Sequence, residues 1–145
     1  MITDSQLQFS DAQALTVSAA STNTVNLKAT SSRLFTGEPM VVVITVDVAA
    51  KTSDANETYA FALQCDDADA FGSATALASR TIDKALLTAG SKHTIPVPAE
   101  LDVEQYLRIY YTLGGTNPTV TVTAELMPAN MVDQKKEYPD NITIS

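Results

Sequence analysis

Alternation, not helical spacing, organises this chain. Apolar residues recur at every second position in short stretches separated by clusters of Ser, Thr, Asn, Asp and Gly, and sustained 3.6-residue periodicity is nearly absent. The strongest stretch is "PMVVVITVDVAA", residues 39–50. Met40, Val42, Ile44, Val46 and Val48 share one face there, and Val41 and Val43 make half of the other face apolar. A strand apolar on both sides predicts a central position in a sheet covered on both faces, with Pro39 at the entry, where no ladder donor is needed. "ETYAFALQCDD", residues 57–67, sets Tyr59, Phe61, Leu63 and Cys65 against Thr58, Ala60, Ala62 and Gln64. That contrast of large and small predicts that the small side lies beneath another segment.

Weaker strands are predicted at 74–82 and 93–97, with Phe71 anchoring the loop "DDADAFGS" and one helical turn at 98–105. Near the end, "YLRIYYTLGG" (106–115) has a core side of Leu107, Ile109, Tyr111 and Leu113 and a polar side of Tyr106, Arg108, Tyr110 and Thr112. "TVTVTAEL" (119–126) follows after "GGTNP". Turn chemistry at Gly114, Gly115 and Pro118 predicts a hairpin between the two. In that hairpin Thr119, Thr121, Thr123 and Glu125 would share a side with Tyr106, Arg108 and Tyr110. The opening segment is polar, with isolated anchors at Leu7 and Phe9 and two short β-like pieces at 14–18 and 24–27. It reads as an arm lying across its own domain or a neighbour. The sum is about eight short strands, an all-β jelly roll or β-sandwich with extended N- and C-terminal arms. Residues 1–127 form the domain, including an arm of about 1–13, and 128–145 form an extended tail. No fixed-period repeat suggests a propeller or solenoid.

Length and charge narrow the function. A chain of 145 residues suits one core. Nine basic against seventeen acidic residues give a net charge of −8, which argues against nucleic acid or anionic membrane as partner. Solubility is the simpler reading of the acidity. The one cysteine, Cys65, allows no intrachain disulfide, as expected for assembly in a reducing cytosol. "MITDSQLQFS" has neither a basic nor an apolar leader region, and the apolar run "MVVVI" is too short to span a bilayer. The sequons at Asn56 and Asn141 read as chance matches on this route.

Chemistry finds little foothold. A serine hydrolase would have to use His93, the one histidine, and no nucleophile-elbow motif accompanies it. Zinc needs three or four His or Cys ligands, and the chain has one of each. Asp66, Asp67 and Asp69 lack the spacing of a calcium loop and read as a solvated turn. A P-loop is missing, and so is Trp, a common stacking platform for sugars. Cys65 reads as a small core residue. The expectation is a protein that is no enzyme and takes no cofactor, and whose working parts are contact surfaces. Tyr106, Arg108 and Tyr110 lead the candidates, because Tyr and Arg are enriched at binding hot spots. The other reading open to them is packing under the N-terminal arm of the same chain. Leu7 and Phe9 in the arm, and Met131 and Val132 in the tail, come second, since apolar residues on such segments either tuck back or find a partner.

Three stretches carry a resemblance: "ITDSQLQFSDAQALTVSAASTNTVNL", "YAFALQCDDADAF" and above all "YLRIYYTLGGTNPTVTVTAEL". They are similar to the small capsid cement, or decoration, proteins of tailed bacteriophages, those of Bordetella phage BPP-1 and the epsilon15-like podoviruses. The matching positions are Phe9, Ser10, Asp11, Gln13 and Ala14, then Ser21, Thr22 and Asn23. Later come Tyr106, Leu107, Arg108, Tyr111, Thr112, Gly114, Gly115 and Thr116, and last Val122, Thr123 and Ala124. The resemblance implies a jelly roll made in the host cytoplasm and carried on the capsid exterior of the virion. It would bind a shell of HK97-fold major capsid protein, act as a homodimer, and pin neighbouring capsomers together. A β-sandwich adhesin or carbohydrate-binding module of a virion is the alternative reading.

Overall fold

The structure, a computed structural model, describes residues 7–26, 40–53, 56–97 and 106–128. Among these residues there are nine strands: β1 (Gln8–Leu15), β2 (Ala19–Ala20), β3 (Val25–Asn26), β4 (Met40–Val48), β5 (Thr58–Asp66), β6 (Thr75–Ile82), β7 (Lys92–Pro96), β8 (Tyr106–Gly114) and β9 (Val120–Pro128). One sheet has the order β1-β9-β4-β7, and the other runs β2-β8-β5-β6 with β3 also paired to β8. All pairings are antiparallel. Counting β2 and β3 as one interrupted strand, the pairs nest first with last, second with second-last, and so inward to β5 with β6. A long hairpin folded over in this way is a jelly roll, as the alternation predicts.

The core fills the space between the sheets. Tyr59, Phe61, Leu63 and Cys65 of β5 meet Val42, Ile44 and Val46 of β4, with Leu107, Ile109 and Tyr111 of β8 and Val122, Ala124 and Leu126 of β9, in one buried cluster. Strand β4 is interior, between β9 and β7, as its two-faced apolar pattern predicts. Val48 is the exception to its core face. A register shift between Val46 and Val48 turns it out, and it is 59% exposed.

Two expectations are corrected. β8 and β9 do not form a hairpin: they belong to opposite sheets, and residues 115–119 carry the chain across the sandwich. Five residues reach at most about 17 Å, ample for sheets stacked about 10 Å apart. Hence Thr121, Thr123 and Glu125 lie on the outer face opposite to Tyr106, Arg108 and Tyr110. The N-terminal segment is also more regular than an arm. Its strand begins at Gln8 instead of Ala14 and forms the β1 edge of the first sheet, bulged around Ala12, whose φ is 50°. The chain then switches sheets and lines β8 as β2 and β3. Buried Ser10 ties the sheets together, its Oγ 2.7 Å from the Tyr111 hydroxyl, and burial raises that phenol above its ordinary range. The turn expected at 98–105 lies outside the described residues.

The crossing after β8 is held from below. Tyr59 Oη accepts from the Thr119 N–H at 3.2 Å, and it lies 3.3 Å from the Lys51 carbonyl, to which it can donate. Gly115 has φ of 95°, and a Cβ there would fall on the Asn56 carbonyl backbone. At Gly114 the obstacle is the Thr58 hydroxyl, 2.5 Å from an added Cβ, which a rotamer change can move. Gly115→Ala is therefore expected to cost roughly 2–4 kcal/mol in urea unfolding, and Gly114→Ala clearly less.

Candidate functional site

β8 is paired along both edges, and this decides where its side chains go. The backbone groups of Ile109 and Leu113 turn toward the N-terminal segment: Ile109 exchanges bonds with Ser21, and Leu113 N–H donates to Ser18 Oγ. The even-numbered residues bond toward β5 and point their side chains outward. Tyr106, Arg108 and Tyr110 thus form one row on the outer face of the second sheet, each half-buried. Of the N-terminal segment, the described β2 and β3 run beside this row as part of the sheet.

Arg108 is mounted within the row. Its cross-strand partner is Gln64, whose Oε1 accepts from Arg108 Nε at 2.8 Å. Its guanidinium sits 4.4 Å from the centre of the Phe71 ring and 5.4 Å from that of Tyr110. Such contacts contribute about 0.5–1 kcal/mol each at partly exposed sites, enough to select one rotamer. Phe71 is brought there by the loop after β5, with a backbone φ of 53°. Asp66 shapes that loop. Its carboxylate, almost inaccessible, accepts from the N–H groups of Asp67 at 2.6 Å, Ala68 at 3.3 Å and Ser73 at 2.8 Å. These bonds, the one from Ser73 foremost, hold the Asp66 carboxyl below its ordinary range.

Of the residues picked from sequence, the fold brings Tyr106, Arg108 and Tyr110 together. Leu7 is half-buried and packs against the core. Phe9, expected at a contact surface, is corrected to a core residue with 0% exposure, because bulged β1 turns it inward. Met131 and Val132 lie outside the described residues. Sequence reasoning assigned Phe71 only an anchoring role and passed over Gln64 as part of a small-residue face. The expected cover over that face amounts, among the described residues, to Phe71 on the Arg108 stack, and Ala60, Ala62 and Gln64 stay half-buried.

Two further places hold titratable groups. Below the sandwich, a shallow groove of about 240 Å³ is lined by Glu57, Tyr59, Thr81, Ile82, Asp83 and Lys84, among others. It contains an ion pair, with Lys84 Nζ 3.2 Å from the inaccessible Glu57 carboxylate. His93, on edge strand β7, is buried beside Ile44, with Ser91 Oγ 3.1 Å from its Nε2.

Burial, reinforced by the Arg80 charge, pushes the His93 pKa below its ordinary 6.5, against a backbone hydrogen bond to Leu86 that raises it. The unfolded chain then binds the extra proton more readily than the folded one. This contribution to stability is full above about pH 6.5 and is lost as pH falls through the lower folded value. Melting temperature should accordingly drop between pH 7.5 and 5.5 in calorimetry, and His93→Gln should flatten that slope.

Compared with known proteins, the chain matches the family model described as Bbp16 over residues 9–131. No curated protein matches it. The match runs from the buried Phe9 to beyond the end of β9, and so spans both sheets and the Tyr–Arg–Tyr row. The chain therefore belongs to the Bbp16 family, a bacteriophage family named for a protein of Bordetella phage BPP-1 and associated with the virion.

Proposed function

We propose that this chain is a capsid cement protein: it binds the outer surface of an icosahedral shell of HK97-fold major capsid protein and stabilises contacts between neighbouring capsomers. Membership of the Bbp16 family supports the setting. The observation that carries the reading is the outer face of β8, where two tyrosines flank an arginine whose rotamer is already fixed by Gln64 and Phe71. Such a face suits docking, because little side-chain entropy remains to be lost on contact. The rigid sandwich behind it suits a load-bearing part, and repetition over a symmetric shell multiplies modest contacts into strong overall attachment. Copies act as homodimers on the particle in this reading. The acidic balance of the chain keeps unassembled copies soluble and apart.

Particles assembled without this protein should lack density on the outside of the shell and should open at a lower temperature, or in low salt that complete ones withstand, as read by cryo-electron microscopy and calorimetry. Identical melting of the two kinds of particle would sink the proposal. A glycan array should show no saturable binding, and a defined sugar ligand would favour the adhesin reading instead.

A further inference from the structure

We propose that the Tyr106–Arg108–Tyr110 face receives a carboxylate side chain of the protein it docks against, with Arg108 as the receiving fork. This rests on the docking reading above and names its chemistry. A guanidinium has five N–H donors in a plane and binds a carboxylate through two of them at once. In Arg108 the Nε donor is spent on Gln64, at 2.8 Å. Neither Nη atom has a hydrogen-bond partner among the described residues, so the end-on pair of donors is free. Arg80, the other described arginine, differs: its Nη1 donates to the Thr94 carbonyl at 3.0 Å, closing the gap between β6 and β7.

The mount is as informative as the free edge. With its plane fixed over Phe71 and beside Tyr110, Arg108 holds a single orientation before any partner arrives. Lysine would supply the same charge without the fork or the stacking. The hydroxyls of Tyr106 and Tyr110 also make no hydrogen bond among the described residues, leaving two more donors in the same row. Around them the strand residues of this face are neutral: Gln64, Ala62 and Ala60 on β5, Ser79 and Thr81 on β6. Asp66 is the one acid in these strands, and its carboxylate is nearly inaccessible and already bonded to three backbone N–H groups. The exposed acids Asp67 and Asp69 belong to the adjoining loop.

Among the described strand residues of this face the positive edge therefore stands alone, on a chain with net charge −8. A phosphate backbone would meet the repulsion of the whole molecule, whereas one carboxylate on a folded protein meets the local fork. The predicted partner feature is an Asp or Glu presented on a flat surface, closed in by two tyrosine rings.

The test is binding of the purified chain to shells assembled without it, followed by co-sedimentation over a range of salt. Arg108→Lys, with unchanged melting temperature, is expected to weaken binding at least tenfold, and Arg108→Met to weaken it further while flattening the salt dependence. Tyr110→Phe keeps the ring beside the guanidinium and should cost less than either. Should Arg108→Met melt early, Arg108→Lys alone decides. Wild-type binding with an undiminished Arg108→Lys variant overturns the carboxylate fork and leaves the docking reading standing. Absence of wild-type binding overturns both. Displacement from the shell by a short oligonucleotide but not by polyglutamate would assign the fork to phosphate and overturn the inference as well.

Discussion

The two-sided pairing of β8 is the constraint on which the rest depends. One edge of that strand is occupied by β2 and β3, the other by β5. With both edges filled, the backbone has no freedom to twist away, and the side chains are committed alternately to core and to solvent. Leu107, Ile109 and Tyr111 go in at 0% exposure, and the tyrosines and Arg108 are presented outward at fixed intervals along the strand. Register with β5 then places Gln64 beside Arg108, and the loop that follows β5, shaped by Asp66, sets Phe71 under its guanidinium. The candidate surface is a by-product of sheet geometry, which makes it rigid without a dedicated scaffold.

Much of this was legible in the sequence, for one reason: strand faces are set by alternation, and alternation is local. The core sides of β4, β5, β8 and β9 could be named from spacing alone, and the outward Tyr106–Arg108–Tyr110 row with them. What failed was pairing, which is not local. "GGTNP" carries turn chemistry whether the chain turns back beside its neighbour or crosses to the opposite sheet, so β8 and β9 read as a hairpin. A jelly roll excludes that hairpin by its nesting, and nothing in residues 106–126 alone records it. Phe9 is a similar case. Its flanks are polar, and local composition does not announce the register shift between Gln8 and Ser10 that accompanies the burial of both Phe9 and Ser10.

The partners of Arg108 were hidden for the same reason. Gln64 is 44 positions away, and Phe71 lies in a loop whose shape comes from a hydrogen-bonded carboxylate. The acidic cluster "DDADAF" looked like a solvated turn. Its first member instead acts as an internal template, replacing a backbone acceptor for three donors, two at the start of the loop and one near its end, at a place where the strand ends. Side-chain chemistry that substitutes for secondary structure leaves no periodic trace.

The nested order of the strands has a kinetic side. Ser10 and Tyr111 bond although 101 positions apart, and among the described strands β1 finds its ladder partner in β9 alone. During synthesis β1 leaves the ribosome well before β9 and must wait for it, while the inner pair β5 and β6 can form as soon as both are made. Closure of such distant contacts is slow, and until it happens β8 and β9 each present an open edge and a bare apolar side. That waiting time is a hazard in itself, and mutual repulsion between strongly acidic chains is one physical means of surviving it.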